Sequence, residues 1–184
     1  MQIDRIYYPV ETLGPGKRIG IWTIGCNRGC VNCSNPELWK SDPGRDISID
    51  NILNMIGGIN EPDGITITGG EPFLQVDDLF DLVNGIKNYG IDDILIYSGY
   101  TLKELIDMKN SKVSFVLNSI AVIIDGEYKD SLNDNLGIRG SSNQKINILN
   151  NKYRDRYANC NKGERKSQIV ICDNLVMSFG IPIK

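Results

Sequence analysis

Short β-rich runs that break at glycine and lead into helix-period stripes restrict this chain to an α/β fold. Residues 18–24 are apolar and stop at Gly25, residues 64–68 stop at Gly69 and Gly70, residues 94–97 stop at Ser98 and Gly99, and residues 121–124 stop at Asp125 and Gly126. Between them lie stripes of period 3.6. Ser48 stands as an N-cap before Ile49, Ile52, Leu53 and Ile56, and Gly57 and Gly58 close that segment. Leu79, Leu82, Val83 and Ile86 repeat the pattern up to Gly90. Thr101 and Glu104 have the spacing of a capping box that opens a helix through about Lys109, and residues 113–117 predict a further short helical turn. Strands alternating with helices in this way build parallel sheets from βαβ units. The units are too few to close an eight-fold barrel, so a partial, open β/α barrel is expected. Ligands collect at the carboxyl ends of parallel strands, and here four loops converge on that rim: the one after Gly25, then Gly69 to Glu71, Ser98 to Tyr100, and Asp125 with Gly126.

The first of those loops carries Cys26, Cys30 and Cys33 in a Cys-x3-Cys-x2-Cys spacing. Thiolates are the usual ligands of iron–sulfur clusters, and a cubane needs four ligands, so three leave one iron open to a small molecule. Gly25 and Gly29 each precede a cysteine and permit a tight wrap around an inorganic core. A closed zinc site normally uses four Cys or His ligands, and the chain contains no histidine. Only Cys160 or Cys172 is left to complete one, and both are read as ordinary thiols, one in a polar loop and one on a strand. A disulfide requires an oxidising compartment. Met1 leads directly into the polar residues Gln2, Asp4 and Arg5, which resemble no signal peptide, so cytosolic metal ligands in a cytoplasmic protein are expected.

Composition narrows the classes further. With 184 residues, 41% hydrophobic and 23% charged, the chain suits one globular domain rather than a disordered one. A net charge of −3 and a pI near 5.0 give no general attraction to nucleic acid or to anionic membranes. No apolar run approaches the ~20 residues of a membrane span. Residues 151–166 are polar and basic without periodicity and predict an exposed loop, whereas Gln168–Cys172 and Leu175–Phe179 around Asp173 and Asn174 predict a β-hairpin. Gly14 to Arg18 lacks the spacing and the following Ser or Thr of a P-loop and reads as a turn, with Arg18 expected near the active-site mouth.

The cysteine loop followed by Thr68-Gly-Gly-Glu-Pro72 resembles the radical S-adenosylmethionine (SAM) enzymes, and more narrowly the glycyl-radical-enzyme activases. Tyr7 to Glu11, Gly14 to Gly16 with Arg18, Asn35, Trp39, Gly99 to Leu102, Asp125 with Gly126, and residues 139–144 resemble the activating proteins of anaerobic (class III) ribonucleotide reductases. The resemblance covers residues 1–150, read as a radical SAM activase domain, and leaves 151–184 as a C-terminal extension packed on it.

The resemblance implies one [4Fe-4S] cluster on Cys26, Cys30 and Cys33, with SAM chelated at the open iron. Reductive cleavage of SAM would yield methionine and a 5′-deoxyadenosyl radical that takes a hydrogen atom from a glycine of the partner enzyme. It also implies flavodoxin or ferredoxin as electron donor. Carried over by position, Gly69 and Gly70 admit the methionine moiety close to the backbone, and the Glu71 region bonds its ammonium group. Many family members carry Asp at that position. Asn32, Cys33 and Ser34 line the adenosyl pocket, Ser98 faces the ribose, and Asp125 contacts SAM or the incoming glycine loop. Residues 139–144 are expected to be exposed and to dock the partner or cover SAM. Two other readings stand beside this one. The target would be a different glycyl radical enzyme or a peptide, or the chain would be a non-catalytic iron–sulfur electron carrier with a fourth protein ligand.

Overall fold

The computed structural model describes residues 1–172 and 175–183. Its centre is a six-stranded sheet in sequential order. β1 (Ile3–Val10) runs antiparallel to β2 (Arg18–Thr23). β3 (Gly64–Gly69), β4 (Ile94–Ser98) and β5 (Val122–Asp125) then follow β2 in parallel, and β6 (Lys145–Ile148) closes the far edge antiparallel to β5. Such an order, with right-handed crossovers, sends every connecting helix to the same face and curls the sheet like an open barrel.

The helices are α1 (Ile49–Gly57), α2 (Val76–Asn88), α3 (Leu102–Asp107) and α4 (Ser111–Ser119). The starts of α1, α3 and α4 follow from side-chain capping. The Ser48 hydroxyl accepts from Asn51 N, Thr101 and Glu104 complete the capping box, and the Asn110 side-chain Oδ1 accepts from Lys112 N and Val113 N. Strand periodicity sorts the core. Ile19, Ile21, Ile65, Ile67, Ile94, Ile96 and Ile123 pack against Ile52, Leu79, Leu82, Val83, Ile86 and Val116 of the helices. The alternate residues Trp22, Leu95, Val122 and Ile124 face the concave side. Burying each of these large apolar side chains contributes about 1.5–3 kcal/mol.

Several expectations change. The edge strands β1 and β6 were invisible in the pattern, because Pro9 interrupts the first and the second is only four residues long. Residues 151–166 are not an exposed loop throughout. They contain the short helix α5 (Arg154–Tyr157), and Tyr153, Tyr157 and Arg165 are buried. Only these few residues of a polar stretch turn inward, so no periodicity announces them.

Arg18 lies at the amino end of β2, opposite the rim, and is fully buried. Its guanidinium pairs with Asp93 at 3.2 Å and donates to Thr66 Oγ1 at 2.7 Å and to the Ile65 carbonyl at 2.7 Å. Tyr157 donates to the same Asp93 at 2.6 Å. Arg18 is therefore a structural pin rather than a mouth residue, and removing one member of such a pair typically costs about 3–5 kcal/mol.

The C-terminal hairpin joins β7 (Gln168–Cys172) to β8 (Leu175–Phe179), with Gln168 opposite Phe179. Its expected turn residues, Asp173 and Asn174, lie outside the described residues. No helix among the described residues is long and apolar enough to cross a membrane.

Candidate active site

The four parallel strands deliver their carboxyl ends to one rim, and the loops there interlock through the backbone. Gly70 N donates to Thr23 O and Glu71 N to Gly25 O, both at 2.8 Å. Those two acceptors belong to the segment that leads into Cys26. A Cβ on Gly69 would stand 2.4 Å from Thr23 N, and one on Gly70 would stand 2.3 Å from Gly25 O, so only glycine lets the β3 turn lie against the cysteine loop. The cysteine loop is tied down on its other flank as well. Gly25 N donates to Leu38 O at 2.8 Å and Cys26 N to Trp39 O at 2.9 Å.

Cys26, Cys30 and Cys33 all line one cleft of about 1020 Å³, counting its solvent-open part, together with Ser34, Gly69, Gly70, Glu71 and Ser98. All three thiols are partly exposed. Burial pushes the Cys26 and Cys30 thiols above the ordinary range, although backbone N–H groups of Arg28 and Gly29 at Cys26, and of Tyr128 at Cys30, work in the opposite direction. Asn35 N donates to Cys33 Sγ at 3.5 Å. A bound cation inverts the burial effect, deprotonating the thiols and leaving sulfurs that already face N–H donors. Hydrogen bonds of this kind help to set a cluster's potential.

The donor set suits a cubane with one open iron. Three thiols share a cleft, the chain offers no histidine, and glycine backbone is packed against the loop that carries them. No three metal-binding side chains among the described residues close on a single ion. A cubane does not ask for that, since each thiolate takes its own iron. Cys160 sits elsewhere, packed with Leu95, Val122 and Tyr157 on another part of the concave face, and the Cys172 side chain lies outside the described residues.

Glu71 is completely buried, and its carboxylate is a brace. Oε1 accepts from Phe73 N at 3.1 Å and Ser98 Oγ at 2.9 Å, and Oε2 accepts from Gly99 N at 2.7 Å. Burial pushes its pKa above the ordinary carboxylate range, and the three hydrogen bonds offset part of that rise. Ser98 is likewise engaged, donating to Glu71 and accepting from Tyr100 N at 3.1 Å. Both side chains act on the shape of the rim.

Two expected site residues are not part of the cleft lining. Asn32 is exposed in a left-handed conformation and donates to Asp130 Oδ2 at 2.9 Å. Asp125 caps α3, accepting from Leu102 N at 2.6 Å, and lines a neighbouring groove. Residues 139–144 also depart from the exposed segment expected of them. Ser141 and Gln144 are buried, and the Gln144 side chain binds Gly126 O and the Gly140 and Ser141 amides at 2.8–3.1 Å, beside the cleft.

Arg28 was missed by pattern reading. It lies inside the cysteine loop, its guanidinium 3.7 Å over the Tyr100 ring and 3.8 Å from Glu104. Its Nε and Nη2 are buried on the cleft wall without a hydrogen-bond acceptor among the described residues. A cation between cluster-spaced cysteines is the sequence signal for it.

The 4Fe-4S single cluster domain family matches residues 12–147. The anaerobic ribonucleoside-triphosphate reductase-activating protein of Salmonella typhi is 34% identical over 152 residues, covering 78% of this chain and 96% of that protein. Its counterpart in Enterobacteria phage T4 is 28% identical over 151 residues, covering 79% and 93%. Pyruvate formate-lyase-activating enzyme of Staphylococcus aureus (strain USA300) is 36% identical over 103 residues, 48% of this chain and 39% of that enzyme. With three cysteines and a double-glycine turn on one rim, and relatives matched over nearly their whole length, the chain belongs to the anaerobic ribonucleoside-triphosphate reductase-activating proteins, radical SAM activases with a 4Fe-4S cluster.

Proposed function

We propose that this chain is the cytoplasmic activase that installs the glycyl radical on an anaerobic ribonucleotide reductase, with residues 1–150 as the activase domain and 151–184 packed on it. The observation that carries the reading is the shared cleft of Cys26, Cys30, Cys33, Gly69 and Gly70. The three thiolates would each hold one iron of a [4Fe-4S] cluster and leave the fourth to SAM. Bound and reduced, that pair supplies a one-electron cleavage of the sulfonium bond and a 5′-deoxyadenosyl radical able to take a hydrogen atom from glycine.

The remaining steps belong to the chain. Gly69 and Gly70 offer side-chain-free backbone to the methionine moiety. Glu71 holds Ser98 and Gly99 in register with that turn rather than reaching the ligand with a free carboxylate. Arg28, stacked on Tyr100 with unpaired N–H groups, supplies a cation for the methionine carboxylate. Ser34 lines the adenosyl side. Asn32 and Asp125 act indirectly, through Asp130 and through the start of α3. A flavodoxin or ferredoxin delivers the electron, and a reducing compartment keeps the thiols free. The partial match to a pyruvate formate-lyase activase makes another glycyl radical enzyme the second reading for the target.

The test is anaerobic reconstitution with iron and sulfide, reduction with dithionite, and chromatographic assay of 5′-deoxyadenosine and methionine formed from SAM. Cleavage that disappears in Cys30→Ser supports the reading. A loaded cluster that neither binds nor cleaves SAM overturns it and leaves an electron carrier.

A further inference from the structure

Ser178, Phe179, Gly180 and Ile181 line the same cleft as the three cysteines, yet they lie beyond residue 147, where the family match ends. The Salmonella typhi relative is already covered over 96% of its length by a match that uses 78% of this chain. The tail is thus largely additional to the shared domain. Its attachment is specific at both edges of the open sheet. On the β1 side, Phe179 is buried, stacks on Tyr7 at 4.5 Å between ring centroids and tilts against Trp22 at 5.3 Å. Gln168 donates to Pro9 O at 2.8 Å and accepts from Glu11 N at 3.0 Å. On the β6 side, the Arg165 guanidinium donates to the Arg139 and Gly140 carbonyls at 2.7 and 2.8 Å, and to Pro182 O at 2.8 Å. The segment therefore bridges from β1 to the loop before β6 across the concave face, which an open barrel leaves uncovered.

We propose that residues 165–172 and 175–181 form a wall of the reaction cleft that confines the radical chemistry, with Phe179 and Ile181 as its apolar inner surface. The inference rests on the activase reading given above. A primary carbon radical abstracts hydrogen from any suitable donor within reach, so closing the cleft guards against side reactions. Where the wall is breached, one electron and one SAM still give methionine and a radical, but a thiol or other hydrogen-atom donor from solution supplies the hydrogen. The product is 5′-deoxyadenosine with no glycyl radical to match it. The same breach admits oxygen to the cluster.

The test compares reconstituted wild type, Phe179→Ala and Ile181→Ala. It measures iron per chain, 5′-deoxyadenosine formed per glycyl radical on an added anaerobic reductase, and the rate at which air bleaches cluster absorbance without SAM. The wall predicts normal iron loading, a several-fold rise in deoxyadenosine per glycyl radical and faster bleaching in both variants, with Phe179→Leu restoring much of each. Unchanged ratios and bleaching rates, with a wild type that activates normally, overturn the wall alone. A wild type that loads its cluster and does not cleave SAM overturns the activase reading, and the bleaching rates then still decide whether the tail shields the cleft. Phe179 is buried and its alanine variant is at risk of misfolding, in which case the partly buried Ile181 decides.

Discussion

Replacing Gly70 by alanine should separate the two loops that make the site. The added Cβ would stand 2.3 Å from Gly25 O, 2.9 Å from Gly25 C and 3.1 Å from Gly25 N, where ordinary contact begins at 3.4 Å. All three neighbours are backbone, so no side chain can swing away. The Gly25 oxygen is also held, because it accepts from Glu71 N at 2.8 Å. Relief of the clash requires the ends of β2 and β3 to part by about 1 Å, weakening that bond and the one from Gly70 N to Thr23 O. Overpacking at about 1–3 kcal/mol and lost hydrogen bonds at about 1 kcal/mol each give a destabilisation of about 3 kcal/mol. In a chain of this size that lowers the melting temperature by about 6–12 °C. A displacement of the reacting groups by about 1 Å can slow SAM cleavage about 10²-fold. Calorimetry of the metal-free protein and a deoxyadenosine assay of the reconstituted one read the two effects separately. Gly58→Ala is the control, since its Cβ would meet nothing nearer than Met55 O at 3.5 Å. A Gly70→Ala protein that melts and cleaves SAM like the control would refute the close-approach account of the double glycine.

Glu71→Gln places an amide group against the Gly99 N–H and should cost about 2 kcal/mol in urea unfolding. Burial raises the folded-state pKa of Glu71 above its unfolded value, so its ionised form weighs against folding at neutral pH. That penalty fades as pH falls through the folded value toward the ordinary carboxylate range. The gap between wild type and Glu71→Gln should therefore widen in favour of wild type as pH falls from neutral toward the ordinary carboxylate range, and a pH-independent gap counts against it. Arg28→Ala should weaken SAM binding to the reconstituted protein about 10–100-fold by calorimetry, as expected for a lost charge-assisted bond of about 1.5–3 kcal/mol. Unchanged affinity removes Arg28 from the site. Cys160→Ser should load iron and sulfide like wild type while Cys30→Ser does not, and loss of the cluster in Cys160→Ser would make Cys160 a fourth ligand.

What was legible in the sequence was local. The parallel strands announced themselves because each buries alternate residues on two faces and stops at a glycine, and the helices because their stripes and caps lie within a few residues of one another. The cysteine loop and the double glycine were readable for the same reason, since a cluster's ligands and a close backbone approach are written in short spacings. Roles that depend on distant partners were not. Ser98 lines the cleft, and its bond to Glu71, twenty-seven positions away, could not be read from its neighbours. Asp125 caps α3 through Leu102 N, twenty-three positions earlier, a partner that only the fold brings beside it. Gln144 and Arg165 sit in polar stretches whose composition says exposed, and only the fold supplies the carbonyls that pull them inward. Phe179 reads as one more apolar strand residue until Tyr7 and Trp22, more than 150 positions earlier, are brought beneath it.

Mixing the reconstituted, reduced protein with SAM and an anaerobic ribonucleotide reductase and recording the EPR spectrum asks whether the chain is an activase of that enzyme. A glycyl radical signal is expected on the reductase, dependent on SAM, the reductant and Cys30. A loaded cluster that cleaves SAM in the presence of the reductase yet leaves no such signal would contradict the activase reading.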